Sequence, residues 1–348
     1  MVITGAALGL YMAADAVRGL DEFLREGDTI VRTMSRIGLT YLVRAPVFLT
    51  PLIPMTILVA GAFSIAYLAR NNEVTAMKAS GISLFRILVP LFISATLVSI
   101  VGFMNQELLV PHVELKYQPI LKEMSGEEDT YEEVGRFVLE ENVMYMASYN
   151  VVTETLLEPN LIFYDLNNGE DFLRIRAKSG RYDGNGWTLY DNLEIGGKKA
   201  EEDEFFWETS LTPDQLAMEV LPRRSRPLTV IYDRIRSDRE RIEDPDQERR
   251  GYVDPGYEVL LYSRISYPFV GVALLLAGIP FMLSSEDMRR SRLFGVGLCI
   301  LVGGIYYTLS FLCTAMGEAG SLRPELAGFL PVILLSAVGI YLTDKIRT

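Results

Sequence analysis

The chain has 348 residues, of which 49% are hydrophobic and 22% are charged, and its net charge at pH 7 is −12. The charges are unevenly distributed: residues 120–256 contain 31 acidic and 17 basic residues, whereas the rest of the chain contains 14 acidic and 16 basic residues. An acidic, water-facing block therefore lies between nearly neutral apolar blocks. This composition excludes a basic nucleic-acid-binding protein, a disordered chain and, with 2 cysteines, a small domain held together by disulfides.

Long runs without a charged residue predict membrane-spanning helices. Five runs are long enough to cross the roughly 30 Å hydrocarbon core of a bilayer as helices. They comprise residues 45–69, 87–106, 265–285, 293–317 and 326–343. Residues 1–14 are also uncharged but lack the basic start of a secretory signal peptide, and we predict a sixth span there that is short or truncated. The sequence thus predicts a polytopic α-helical membrane protein with six spans.

Basic residues in the short loops predict the orientation, because cytoplasmic loops are enriched in Lys and Arg. The segments 70–86, 286–292 and 344–348 carry three, three and two basic residues, and all lie on one side of a six-span chain, which we assign to the cytoplasm. The acidic block then lies outside, between spans 3 and 4.

Five arginines between spans 1 and 2 do not fit this bias, because they fall on the outer side: Arg18, Arg25, Arg32, Arg36 and Arg44. A phosphorylated lipid headgroup would give such side chains an anionic partner. Pairing with the acidic residues interleaved among them, on an exposed helix, is the alternative.

Short β-prone runs, separated by Gly, Asn and Asp, fill the acidic block. The runs are 136–140, 143–149, 161–166, 172–177, 180–183, 187–190 and 205–207. Strands at this spacing predict an all-β sandwich or open jelly roll inserted between spans 3 and 4, followed by a charge-dense exposed helix or linker over 234–250. The expected domains are spans 1–3 in residues 1–106, a periplasmic β-jelly-roll domain with its linker in 107–256, and spans 4–6 in 257–348.

The sequence contains no pattern typical of an enzyme. Its single histidine, His112, has no second His or Cys near it, and no G-x-x-x-x-G-K-[ST] phosphate loop occurs. Cys299 and Cys313 are 14 residues apart in one apolar run, which corresponds to about 21 Å along a helix and is too far for a disulfide. We therefore predict no catalytic residue, no metal, no cofactor and no nucleic-acid partner.

Segment 70–86, RNNEVTAMKASGISLFR, is the most informative part of the chain. Apolar residues recur in it at helical spacing, and Glu73 stands where an acidic residue suits the helix dipole. Four small residues would allow another surface to approach closely: Ala76, Ala79, Ser80 and Gly81. A short cytoplasmic helix over 73–86, continued by a spanning helix, could transmit a partner's motion into the membrane. A plain interfacial helix on lipid headgroups is the alternative.

The stretch 73–83, EVTAMKASGIS, resembles the signature of the lipopolysaccharide export permeases, the LptF/LptG family. Two further pairs of stretches resemble this family. RAKSGRY and GWTL, beginning at Arg176 and Gly186, resemble a strand pair of its periplasmic domain, and YEV and RISYP, beginning at Tyr257 and Arg264, resemble the start of its fourth span. The likeness extends over nearly the whole chain, but the family has a full first span after a short cytoplasmic start.

This resemblance implies a permease subunit of an ATP-binding-cassette exporter in the bacterial inner membrane. Such a subunit pairs with a second LptF/LptG-type permease and with a separate cytoplasmic ATPase dimer, extracts lipopolysaccharide from the membrane and passes it to periplasmic jelly-roll bridge proteins. Carried over by position, the residues that would couple to the ATPase are Glu73, Ala76, Met77, Ser80 and Gly81. Those that would meet the anionic headgroup are Arg18, Arg25 and Arg32.

Two other classes of protein share some of these sequence features. A membrane-anchored sensor or scaffold would bind a ligand with its outer β domain and signal through the inner helix to a cytoplasmic partner, and it would not co-purify with a nucleotide-binding subunit. A permease of the lipoprotein-release or macrolide type usually has four spans, so the six predicted spans argue against it. The sequence leaves open whether the chain fills the LptF or the LptG role and whether it pairs with itself.

Overall fold

The computed structural model describes residues 5, 8–10, 12–15, 30–116, 132–138, 143–151, 153–164, 171–200, 203–243, 254–284 and 292–346. The chain divides into two compact units. The helical unit comprises Met1–Leu109 and Asp254–Thr348, and the β unit comprises Val110–Val253.

Eight α-helices have both ends in the described part of the chain. In chain order they are α1 (Ile30–Arg70), α2 (Glu73–Ala79), α3 (Leu84–Met104), α4 (Pro213–Val220), α5 (Leu228–Glu243), α6 (Pro255–Ser284), α7 (Arg292–Glu318) and α8 (Pro324–Ile346). The helix of α3 continues through a π-helical turn, Asn105–Leu109, and then to residue 116. Helices α4 and α5 belong to the β unit and the other six to the helical unit.

Five of the described helices are long and apolar enough to cross a membrane. The candidate spans are Thr33–Arg70, Phe85–Lys116, Pro255–Pro280, Ile300–Glu318 and Pro324–Asp344. The five uncharged runs in the sequence coincide with these helices. The sixth span, over residues 1–14, stays a prediction: the described residues there are helical, and the remaining ones lie outside the described part of the chain.

Helix α6 is at the centre of the helical unit, where it packs against α1, α3, α7 and α8. Its contact with α8 is the most extensive and the closest. A Cβ atom added at Gly328 would lie 2.6 Å from the carbonyl carbon of Tyr262, and one added at Gly339 would lie 2.8 Å from the amide nitrogen of Ala277. Helices in a membrane associate through such close packing at small residues, because the surrounding lipid offers no hydrophobic driving force.

The β unit contains one antiparallel sheet, whose described strands are β1 (Glu132–Val138), β2 (Val143–Asn150), β3 (Thr155–Tyr164), β4 (Asp171–Arg176), β5 (Ser179–Tyr182), β6 (Gly186–Tyr190), β7 (Glu194–Ile195), β8 (Lys198–Lys199) and β9 (Glu204–Glu208). The long strand β3 pairs with β2 along one edge and with β4 and β5 in succession along the other. From there the sheet continues as β4–β7–β8 and as β5–β6–β9, so it curls and divides at β3.

One face of the curled sheet carries the core of the β unit. Side chains of β2 alternate between buried and more exposed positions, as expected of a strand with one covered face. The buried side chains include Val143, Tyr145 and Tyr149 of β2, and they pack with Trp187 and Trp207 from β6 and β9.

Helix α4 and the residues just before it close this core through three hydrogen bonds from aromatic side chains. Trp187 Nε1 donates to the Leu211 carbonyl at 2.8 Å, the Tyr149 hydroxyl donates to the Pro213 carbonyl at 3.3 Å, and the Tyr145 hydroxyl donates to Glu219 Oε2 at 2.6 Å. Burial, with a smaller effect of nearby carboxylates, raises the pKa of Tyr149, so that its hydroxyl stays protonated and able to donate.

The strand predictions for the acidic block were right in type and incomplete in extent. Strand β3 begins at Thr155, not at residue 161, and the hairpin β7–β8 was not predicted because strands of two residues leave no alternating pattern. The charge-dense helix or linker predicted over 234–250 is helical up to Glu243. Helix α5 begins earlier, at Leu228, and buries Ile231 and Ile235, and residues 244–250 lie outside the described part of the chain. All described strands pair into one sheet. They therefore do not form the two separate sheets of a sandwich.

The close contact between α6 and α8 predicts that a larger residue at Gly328 will be destabilising. Gly328→Val forces the two helices apart, because its side chain meets the backbone of Tyr262, and overpacking of this kind costs roughly 1–3 kcal/mol. We expect a lower midpoint of thermal unfolding for the purified variant in detergent.

Gly304 in α7 is the matched control, since a Cβ atom added there meets nothing within 4 Å. Gly304→Val should unfold at nearly the temperature of the unmodified protein. Equal losses in the two variants would contradict the packing argument.

Candidate functional site

The segment that resembled a family signature forms the connection between α1 and α3. Helix α1 ends at Arg70, and the amide groups of Asn71 and Asn72 bond to the carbonyls of Tyr67 and Ala69. Asn72 has a φ of 56°, in the left-handed region that asparagine tolerates better than most residues. The chain thereby turns from α1 into α2 within two residues.

The start of α3 is separated from α2 by a glycine-terminated cap. The amide of Gly81 bonds to the Lys78 carbonyl and the amide of Ile82 bonds to the Met77 carbonyl, each at 3.0 Å, and Gly81 has a φ of +83°. This is the Schellman arrangement, in which a residue with positive φ ends the helix and satisfies its last carbonyl groups. The single helix predicted over 73–86 was therefore wrong in its extent: Gly81 stops α2, and α3 begins only at Leu84.

Helix α2 is attached to the rest of the helical unit by one side and exposed on the others. Val74 is buried and Met77 is half-buried, whereas Glu73, Ala76 and Lys78 are exposed. The five residues predicted to couple to an ATPase thus lie together on this helix and its cap. Their arrangement offers a small, rigid, mostly exposed surface with an acidic residue at its first position.

The arginines predicted to meet a lipid headgroup are only partly described. Arg18 and Arg25 lie outside the described residues, and Arg32 lies on α1 with its side chain also outside them. Arg44, another arginine of this group, is half-buried, and its guanidinium carbon lies 5.9 Å from the centre of the Phe48 ring. Its Nε is buried and has no hydrogen-bond partner in the described structure. A buried donor of this kind is costly unless a further acceptor binds it.

Sequence analysis did not predict a buried polar cluster where α1, α3 and α6 meet. Because proline has no amide hydrogen, Pro54 leaves the Thr50 carbonyl in α1 without its helical partner. The hydroxyl of Tyr267 in α6 donates to this carbonyl at 2.6 Å. Asn105, the first residue of the π-helical turn, donates to the Pro46 carbonyl at 2.8 Å and to the Thr50 hydroxyl at 3.0 Å.

An ion pair between α6 and the π-helical turn lies inside the same unit. Arg264 Nη1 is 2.6 Å from Glu107 Oε1, and the two side chains are only 7% and 14% exposed. In the sequence, Glu107 directly follows the uncharged run 87–106 and Arg264 directly precedes the run 265–285, so both stand at the ends of predicted spans. The sequence indicated a possible pair only through the opposite charges of these two residues, which stand at the facing ends of consecutive spans.

The described cysteine and histidine side chains do not form a metal-binding site. Cys313 is a free, buried cysteine, whereas the side chain of Cys299 lies outside the described part. His112 is exposed. Within the described ranges, no group of three or more His, Cys, Asp or Glu side chains could hold a metal ion.

The comparison with protein-family models agrees with the resemblance drawn from segment 73–83. The family model described as lipopolysaccharide export system permease LptF/LptG matches residues 1–345. The match therefore extends over nearly the whole chain and includes both units. The comparison with curated proteins found no match.

The cap at Gly81 predicts a specific sensitivity of the α2 connection. Gly81→Ala strains the backbone at a φ that alanine disfavours, by about 1 kcal/mol, which corresponds to a roughly five-fold faster opening of the cap. Hydrogen exchange of a peptide over residues 76–84, measured by mass spectrometry, should accelerate by this factor.

Gly81→Asn is the matched variant, because asparagine occupies left-handed positions at helix ends more readily than alanine does. Its exchange should be slower than that of Gly81→Ala. If the alanine variant exchanges no faster than the unmodified protein, the cap does not hold α2 in place.

Proposed function

The chain belongs to the LptF/LptG family of lipopolysaccharide export permeases, and we propose that it is a permease subunit of an ATP-binding-cassette transporter that extracts lipopolysaccharide from the bacterial inner membrane. The family is one of transporter permeases, not of enzymes, and the apolar helices are those of a multi-pass membrane protein. ATP would be hydrolysed by a separate cytoplasmic ATPase dimer.

The observation that carries this proposal is the exposed helix α2 between two membrane-spanning helices. Val74 anchors α2 to the helical unit, and the Gly81 cap fixes its end, so a push on its exposed residues would be passed to α1 and α3. Glu73 is exposed at the amino-terminal end of the helix, where a basic residue of an ATPase could reach it. This arrangement supports a contact with the ATPase in the cytoplasm.

The arginines at the other end of α1 would bind the lipid headgroup. Arg44 precedes Arg70 by 26 residues, which corresponds to about 39 Å along a helix and exceeds the thickness of the hydrocarbon core. An α1 that carries α2 on the cytoplasmic side would therefore place Arg44 near the outer surface. The buried Nε of Arg44, without a hydrogen-bond partner in the described structure, supports binding of an acceptor such as a phosphate oxygen.

The remaining parts of the proposal follow the course of the chain. Helix α3 leads from α2 across the membrane toward the β unit, so with α2 in the cytoplasm the β unit would be periplasmic. Its curled sheet would pass the lipid to jelly-roll bridge proteins. A second LptF/LptG-type permease, identical or paralogous, would complete the lipid-filled cavity.

In the proposed cycle, closure of the ATPase dimer pushes α2 and narrows the cavity between the two permeases. Lipopolysaccharide would enter from the side, between span 1 of one permease and span 5 of the other, and leave along the apolar interior of the β domain. Such coupling needs two conformations of the permease that the ATPase distinguishes energetically.

The direct test is purification of the chain in mild detergent from its own cells, followed by identification of the proteins and lipids that accompany it. An ATP-binding-cassette ATPase together with bound lipopolysaccharide is the expected result. Co-purification of a signalling protein without any ATPase would favour the sensor or scaffold.

A charge reversal on α2 should uncouple ATP hydrolysis from transport. Because Glu73 is exposed, Glu73→Lys should leave the packing of the helical unit intact, but it would repel the basic partner residue on the ATPase. In proteoliposomes, we expect ATP-driven release of lipopolysaccharide to fall by about ten-fold, the loss expected when about 1.4 kcal/mol of coupling is removed.

Glu318→Lys makes the same charge change at an exposed position at the end of α7. This control variant should transport at nearly the unmodified rate. Normal transport by Glu73→Lys would remove Glu73 from the ATPase contact.

Removal of the Arg44 charge should weaken lipid binding. Arg44→Gln takes away the guanidinium that a phosphate would bind bidentately, so crosslinking of lipopolysaccharide to the outer end of α1 should fall by about ten-fold or more. Association with the ATPase should be unchanged.

The control is Arg323→Gln, which removes the same charge from an exposed side chain in the connection between α7 and α8. Its crosslinking should match that of the unmodified protein. An equal loss in both variants would indicate an effect of net charge alone, and undiminished crosslinking in Arg44→Gln would exclude Arg44 from the lipid site.

A further inference from the structure

Two oppositely charged side chains meet inside the helical unit, where an ionised group is unfavourable unless it is paired. Glu107 of the π-helical turn and Arg264 of α6 are 2.6 Å apart, and each side chain is at least 86% buried. Replacement of such a pair by packed apolar residues often leaves a protein equally stable. The stability of the unit therefore does not explain why charges occupy this position.

The π-helical turn connects three helices through polar contacts. Asn105 bonds to the backbone of α1 at Pro46, and two residues further on Glu107 bonds to α6 through Arg264. π-Helical turns are rare and occur frequently at functional sites. This turn holds α3 against both neighbours by directional bonds.

The turn also lies at the far end of the helix that begins beside α2. Glu107 follows Leu84, the first residue of α3, by 23 residues, which corresponds to about 35 Å along a helix. A displacement of α2 would therefore reach the ion pair through one continuous helical element. If α3 slid past α6, the two buried charges would separate, which is strongly unfavourable. An apolar contact in the same place would allow sliding.

We propose that Glu107 and Arg264 are a positioning pair of the transport cycle: they keep α3 in register with α6, so that a movement imposed on α2 also moves α6. This inference rests on the proposed function, because it assumes that an ATPase moves α2. Neither side chain has to touch the lipid. The pair would carry motion from the cytoplasmic side to the central helix of the unit.

The test uses the complete transporter, with its ATPase and second permease, in proteoliposomes that contain lipopolysaccharide. The double variant Glu107→Gln with Arg264→Met removes both charges of the pair together, so its thermal stability and its rate of ATP hydrolysis should stay close to those of the unmodified complex. The amount of lipopolysaccharide released per ATP hydrolysed should fall by about ten-fold. The charge-reversed variant Glu107→Arg with Arg264→Glu restores an ion pair and should regain most of this ratio.

The half-buried pair of Arg234 and Asp238 on α5, whose charged atoms are 3.6 Å apart, supplies the matched control. Arg234→Met with Asp238→Asn should leave the released amount per ATP unchanged. The proposal is overturned if the neutral double variant releases as much per ATP as the unmodified complex, or if its stability, hydrolysis and release fall together, because a merely structural pair would do the latter. A charge-reversed variant no better than the neutral one would also overturn it.

Failure of the proposed function itself would give a different result. The unmodified complex would then release no lipopolysaccharide on addition of ATP, and the positioning role would fall with it. If the unmodified complex releases lipopolysaccharide and the neutral variant does so equally well, the proposed function stands and only the role of the pair is lost.

Discussion

The helical unit is organised by the absence of water from the interior of a membrane. A polar group there must find its partner within the protein, because lipid chains offer neither donors nor acceptors. The contact between α1 and α6 shows the consequence: Pro54 leaves the Thr50 carbonyl without its helical bond, and the hydroxyl of Tyr267 supplies the missing donor. A second tyrosine, Tyr307 of α7, donates to the carbonyl of Pro51 on the same helix. Pro54 thereby creates a polar contact between α1 and α6.

The helical unit contains tightly packed helices, such as α6 and α8, and one exposed helix, α2. Helices α6 and α8 approach until their backbones are in contact at Gly328 and Gly339, and Ser266 of α6 donates to the Gly328 carbonyl. Helix α2, in contrast, is held through Val74 and its glycine cap and otherwise leaves its side chains exposed. An exposed surface attached to tightly packed helices can receive a force without being deformed by it, which is the requirement for coupling to a motor subunit.

Sequence reasoning was most accurate where one physical property dominates a long segment. Five uncharged runs predicted five apolar helices, because the length of such a run is sufficient to identify a possible span. It was less accurate where a single residue changes the backbone. Gly81 divides the helix predicted over 73–86 into α2 and the start of α3, and the two-residue strands β7 and β8 are too short to leave a pattern. In the site, the grouping of Glu73 with Ala76 and Met77 on one short helix was predicted, since all lie within two turns of each other in the chain.

The sequence by itself determined the apolar helices, the β-rich block between the second and third uncharged runs and the family, because each of these is encoded by residues close together along the chain. Only the tertiary structure decided which distant residues are partners. Glu107 and Arg264 stand 157 positions apart, and each ends an apolar run, so in the sequence they mark the limits of two helices. Packing of α3 against α6 brings Glu107 and Arg264 together as a buried ion pair. No local sequence pattern could reveal this contact, because it depends on how two distant helices pack.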